Sequence, residues 1–242
     1  MSRAAGVGWW LRRALIDRAL IEKVPRDHRQ PDSAFRRRRL VVAAVLVLGT
    51  VLLAVSLSVR PGDAAFYPLT GALGTVWLLG GLASGPLHLG RLPVRGVLRR
   101  PVLSPFVIGV AFVVVFVLGA LVVREIQPLA DYTQRVLALA RRGSLPLLVL
   151  VTVLNGITEE VFFRGGLYAA IGVRQPVLIS TVVYAAATAA TGNPMLVFAA
   201  FTLGAVLGLQ RRASGGLLAP ILTHLTWSVS MLLVLPPLFA GR

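Results

Sequence analysis

Cysteine is absent from the chain. That excludes a thiolate nucleophile, a cysteine-ligated zinc site and any structural disulfide. Lysine is almost absent too: Lys23 is the only one, so 24 of the 25 basic residues are arginine. This bias matches a GC-rich genome and carries no functional message. Charge of either sign is scarce. Charged residues make up 14%, against about 25% in soluble domains, and only 9 of 242 residues are acidic. What fills the chain instead is apolar: 56% hydrophobic residues and a mean hydropathy of +0.80. A disordered chain, a disulfide scaffold and an ordinary cytosolic enzyme are all excluded.

The net charge of +16 invites a nucleic-acid partner. The placement of the charges points elsewhere. The arginines flank long apolar runs, as in a membrane protein that obeys the positive-inside rule. Each crossing of a bilayer core needs about 20 apolar residues. Runs of that kind are expected at 40–59, 66–88, 102–123, 144–163, 175–191, up to 210, and 217–239. The fold class is therefore all-α, a polytopic transmembrane bundle of about seven spans with a polar cavity within the membrane. The glycine-rich second run should sit inside the bundle, since small residues let helix backbones approach closely in lipid.

Three regions are expected. Residues 1–39 form a basic N-terminal segment with 11 Arg/Lys and 4 acidic residues, closing on Arg36-Arg37-Arg38-Arg39. Within it, Trp9 to Val24 reads either as a helix lying on the membrane surface or as a plain basic tail near anionic lipid. A cleaved signal peptide is not expected, because the first apolar run starts only at Leu40 and is too long. Residues 40–143 hold three spans and a mixed-charge connector with a short surface helix after Pro128. Residues 144–242 hold four more helices. With the N-terminus inside, the inner segments carry 19 basic residues and the outer ones 6. That split predicts a cytosolic N-terminus and, after seven spans, an outer C-terminus. The expected location is a bacterial plasma membrane.

Seven of the acidic residues lie outside the spans. The other two are adjacent, in Asn155-Gly-Ile-Thr-Glu-Glu-Val-Phe-Phe-Arg164. A charge in a span costs about 2.5–3.5 kcal/mol on insertion scales, so two carboxylates and an arginine there signal function. Glu160 and Arg164 are four apart with the acid first, the favourable order for an ion pair. Glu159 points about 100° away from Glu160 and is free to act as a general base. His224 is the second signal, with Ser228 one turn later on the same face.

Glu159-Glu160-x-x-x-Arg164, followed by apolar helices and then His224, resembles the CPBP family. These are the CAAX prenyl endopeptidase-like and Abi intramembrane proteases. The similarity covers roughly residues 144–238. It implies an all-helical core around a polar cavity, and cleavage of peptide bonds in membrane-associated or membrane-anchored substrates. The family's motifs supply a water-activating Glu, two His and an Asn. Carried over, the water-activating Glu falls on Glu159, its bracing partners on Glu160 and Arg164, and the last-motif His on His224. Two positions depart. Thr188, in Tyr184-Ala-Ala-Ala-Thr188, stands where the family has His, and Ser228 stands where it has Asn. By resemblance a divalent metal such as zinc belongs in such a site, with Glu159 and His224 as its ligands if any. A catalytic zinc takes three protein ligands, so a metal-free route is the simpler expectation. Glu159 would take a proton from water, and His224, Thr188 and Ser228 would donate to the oxyanion. Three functions follow: an intramembrane endopeptidase, a non-cleaving scaffold or immunity-type relative, and a small transporter with Glu159 and Glu160 as relays. The motif favours the first two.

Overall fold

The computed structural model describes residues 12–23, 30–94 and 96–240. Most of the expected surface stretch Trp9–Val24 is seen, but Trp9, Trp10, Leu11 and Val24 lie outside the described residues. Arg13–Ile21 form a wide π-type helix. It does not float free: Ala19 is buried with Leu92 and Ala213, and Arg212 donates to the Leu20 carbonyl at 3.3 Å. The stretch is thus docked against the end of the bundle.

The apolar runs become helices because the bilayer offers the backbone no partner other than its own carbonyls. They are α1 (Asp32–Ser58), α2 (Phe66–Ser84), α3 (Leu103–Val123), α5 (Leu145–Ile171), α6 (Pro176–Ala189), α7 (Pro194–Ser214) and α8 (Leu218–Leu238), with α4 (Gln127–Arg142) between α3 and α5. Six of them, all but α4 and α6, are long and apolar enough to cross a membrane. The chain is a multi-pass membrane protein. The expected seven spans are therefore six helices of spanning length and one short one. α6 has 14 residues, about 21 Å of helix against a core of about 30 Å. Thr191-Gly192-Asn193 carries the chain on, and the Asn193 amide bonds the Tyr132 carbonyl of α4 at 2.8 Å.

Two further differences from expectation lie at helix ends. The first helix starts at Asp32 rather than Leu40, so all four clustered arginines belong to it, and Arg38 is buried. The basic loop after α2 contains a hairpin of β1 (Leu92–Val94) and β2 (Val97–Arg99), in register Leu92↔Arg99. Its approach is fixed by backbone bonds from Leu217 to the His88 carbonyl and from Arg91 to the Ser214 carbonyl. Gly90 and Gly216 touch backbone to backbone there, a contact that a Cβ on either would block.

α2 lies inside the bundle, with α1 on one side and α5 on the other. Its glycines set that position. A Cβ at Gly80 would overlap the Val45 side chain of α1, and one at Gly81 would reach the Val161 carbonyl oxygen of α5 at 2.8 Å. The main core sits where these helices meet. Trp77 stacks on Phe162 with ring centroids 4.5 Å apart, and Phe163 meets Tyr184 at 4.6 Å.

This packing gives a paired test. Gly81→Val meets rigid backbone, and overpacking of this kind costs about 1–3 kcal/mol. Gly71→Ala, on the same helix, meets nothing within 4 Å and should be neutral or stabilising by up to about 1 kcal/mol. Thermal melting of the purified protein in detergent should separate the two in that order. Equal melting would show that α2 and α5 are not in close contact.

Candidate active site

The motif helix α5 is not uniform. It widens into a π-helix over Val161–Leu167, and every side chain of that stretch is buried. π-type segments inside helices recur at functional sites. Here the widening follows directly on the acidic pair. It turns Phe162 and Phe163 to the core while Arg164 still reaches Glu160, with N–O at 3.2 Å and both side chains fully buried.

α8 brings His224 to the same carboxylate. The ring Nδ1 lies 2.8 Å from Glu160 Oε1, the oxygen that also accepts from Arg164. The helices approach this closely because Gly156 stands one turn before Glu160. A Cβ there would meet Leu225 of α8 at 2.9 Å and come within 3.9 Å of His224 and Ser228. The i, i+4 spacing pairs Glu160 with Arg164 alone, but one carboxylate oxygen carries two lone pairs and accepts from both. Arg164 also lies over the Tyr184 ring, 4.7 Å from its centroid, and α7 makes room for it at Gly204. The Arg164 carbonyl in turn accepts from Arg211 at 2.7 Å. Glu160 thus ties α5 to α8, and Arg164 ties it to α6 and α7.

Glu159 stands apart from that knot, on the next face of the helix. Its Oε2 accepts the Tyr184 hydroxyl of α6 at 2.6 Å. His224, Glu160 and Arg164 are all near enough to act on it electrostatically. The Tyr184 hydroxyl is the member of this arrangement that sequence reasoning missed. Its signal was present: a tyrosine one turn before Thr188, on the same face of a largely apolar helix.

Glu159, Tyr184 and Thr188 line a cavity of about 160 Å³, together with Thr191, Trp227 and apolar side chains of α1 and α7. That is room for a few waters. Ser228 lines a neighbouring apolar cavity of about 500 Å³, between α3, α4, α7 and α8. The two cavities share Leu196, Ala199 and Trp227. His224 lines neither of the two. Glu159, Thr188, Ser228 and His224 are therefore spread over two cavities and a buried contact. Thr188 spends its hydroxyl proton on the Tyr184 carbonyl, at 2.9 Å. The Ser228 hydroxyl and the Trp227 indole N–H are buried with no partner.

A zinc ion does not fit this donor set. The position that would add a third ligand is Thr188, whose hydroxyl is engaged by its own helix. Among the described residues no three His, Cys, Asp or Glu side chains gather in an arrangement that holds a metal, and catalytic zinc takes three.

Residues 141–230, a little over a third of the chain, match the family described as Type II CAAX prenyl endopeptidase Rce1-like. The resemblance carried by Glu159-Glu160-x-x-x-Arg164 therefore holds over this segment, which includes Glu159, Tyr184, Thr188, His224 and Ser228. No curated protein and no solved structure matches the chain.

Arg164 is the test of the buried knot. Arg164→Ala leaves the Glu160 carboxylate facing only His224. Removing one partner of a buried ion pair costs about 3–5 kcal/mol. The variant should melt well below wild type, and Glu160→Gln with Arg164→Gln should recover part of the loss. Wild-type melting of Arg164→Ala would mean that the pair is solvated.

Proposed function

We propose that this chain is an intramembrane endopeptidase that hydrolyses peptide bonds of membrane-associated substrates with a water activated by Glu159. The observation that carries this reading is the contrast between the two adjacent carboxylates. Glu160 is held by Arg164 and His224, while Glu159 faces a water-sized cavity with a single hydroxyl on it. One acid is structural and the other is left to react. We take residues 144–242 as the reacting core, 40–143 as its scaffold and 1–39 as a basic flank on the cytosolic side of a bacterial plasma membrane.

The chemistry needs no metal. Glu159 takes a proton from a water in the cavity, and the water oxygen adds to the scissile carbonyl carbon. Tyr184 fixes the carboxylate so that its second oxygen meets the water. His224, with Nδ1 committed to Glu160 and no place in the cavity wall, braces the site, and the Trp227 indole N–H, which lines the cavity and has no partner, is left for the developing oxyanion. As the C–N bond breaks, Glu159 returns the proton to the leaving nitrogen. Water is consumed, and two peptides, one ending in a carboxyl and one starting with an amine, are released.

A second reading is a family member that binds a peptide without cutting it. It is favoured by Thr188, whose hydroxyl is already spent, and by Ser228, which lies outside the Glu159 cavity.

The two readings differ in one assay: cleavage of membrane-anchored peptides by the purified protein. Under the first, wild type cleaves and Glu159→Gln does not, with unchanged melting. Thr188→His with Ser228→Asn should then raise the rate, since one well-placed donor is worth about 10²–10³. If wild type and both variants leave every peptide intact, the binding reading stands instead.

Orientation has its own test. A reporter fused after Arg242 should be outside and one inserted at Arg95 inside. Both positions lie outside the described residues. A cytosolic C-terminus would mean that α6 does not complete a crossing.

A further inference from the structure

A further groove lies away from Glu159. It is an open groove of about 880 Å³ between α6 and α7, with Lys23, two residues past the N-terminal π-helix, in its wall. Lys23 and Arg212 line one end, and the wall beyond is apolar, with Val177, Leu178, Phe201 and Leu209. No acidic side chain among the described residues lines it.

We propose that this groove binds one anionic phospholipid, its phosphate at Lys23 and Arg212 and one acyl chain along α7. Three observations point to this occupant. The first is length. Arg212 and Phe201 are eleven residues apart on one helix, about 16 Å. That is close to the depth of one leaflet, about 15 Å in a hydrocarbon core about 30 Å thick. The second is charge. Both cations sit at the same end, where the apolar wall gives out, which is the pattern of basic pockets that hold lipid headgroups. The third is Thr181. It lines the groove, is 2% exposed, and its hydroxyl is buried with no partner. Thr181 stands five residues into α6, about 8 Å from the helix start. An ester carbonyl below a bound phosphate would accept its proton there. The groove opens to the side of the bundle and Phe201 and Leu178 are exposed, so a lipid enters from the bilayer without any opening of the fold.

The test uses the full chain purified in detergent. Phosphatidylglycerol, phosphatidylcholine and inorganic phosphate are added separately, and binding is read by native mass spectrometry and melting. Phosphatidylglycerol should bind and raise the melting temperature, while the other two should not. Lys23→Glu reverses an exposed charge and should weaken phosphatidylglycerol binding about tenfold. Ala205→Trp fills the groove and should abolish it. If phosphatidylcholine binds equally well, or phosphate alone stabilises as much, the site is not one for an anionic lipid. Unchanged binding in both variants places the lipid elsewhere and overturns the proposal.

Discussion

One carboxylate oxygen holds this molecule's interior in place. Glu160 Oε1 accepts from Arg164 on its own helix and from His224 on α8, and all three groups are buried. A buried, unpaired charge in a span is costly enough to be rejected. The three side chains therefore have to be brought together as the bundle forms. The glycines do the rest. Gly156 lets α8 close on α5, Gly81 lets α2 close on it from the other side, and Gly204 leaves space for the guanidinium. The polar knot specifies which helices meet, and the small residues specify how closely.

Glu159 gains its chemistry from that arrangement. Because Arg164 and His224 both go to its neighbour's Oε1, the knot does not absorb it, and the next face of the helix turns it to Tyr184 and a small cavity. The π-helical stretch after the pair buries Phe162 and Phe163, and Phe163 packs on Tyr184. The same aromatic core that stabilises the bundle thus fixes the residue that bonds the candidate base.

Hydropathy alone made the helices legible, because twenty apolar residues in a row have few other uses. The acidic pair and Arg164 were legible because charges in a span are expensive. What the sequence concealed was connectivity between helices distant in the chain. The bond from His224 to Glu160 spans 64 residues and that from Tyr184 to Glu159 spans 25; neither has a periodic signature. A tyrosine in an apolar helix reads as core, and only contact geometry shows where its hydroxyl points. The helix ends were obscured for another reason. Arg36 to Arg39 break the hydropathy run but not the helix, since arginine is a good helix former. The Leu92–Arg99 hairpin was hidden by its arginines, which mark a loop in composition while the backbone pairs.

The claim on which the account rests is that Glu160 joins α5 to α8 through His224. A double-mutant cycle measures it directly: the unfolding free energies of wild type, Glu160→Gln, His224→Gln and the double variant in one detergent. A hydrogen bond to a charged group predicts a coupling of about 1.5–3 kcal/mol. Losses that simply add, within about 0.5 kcal/mol, would contradict it.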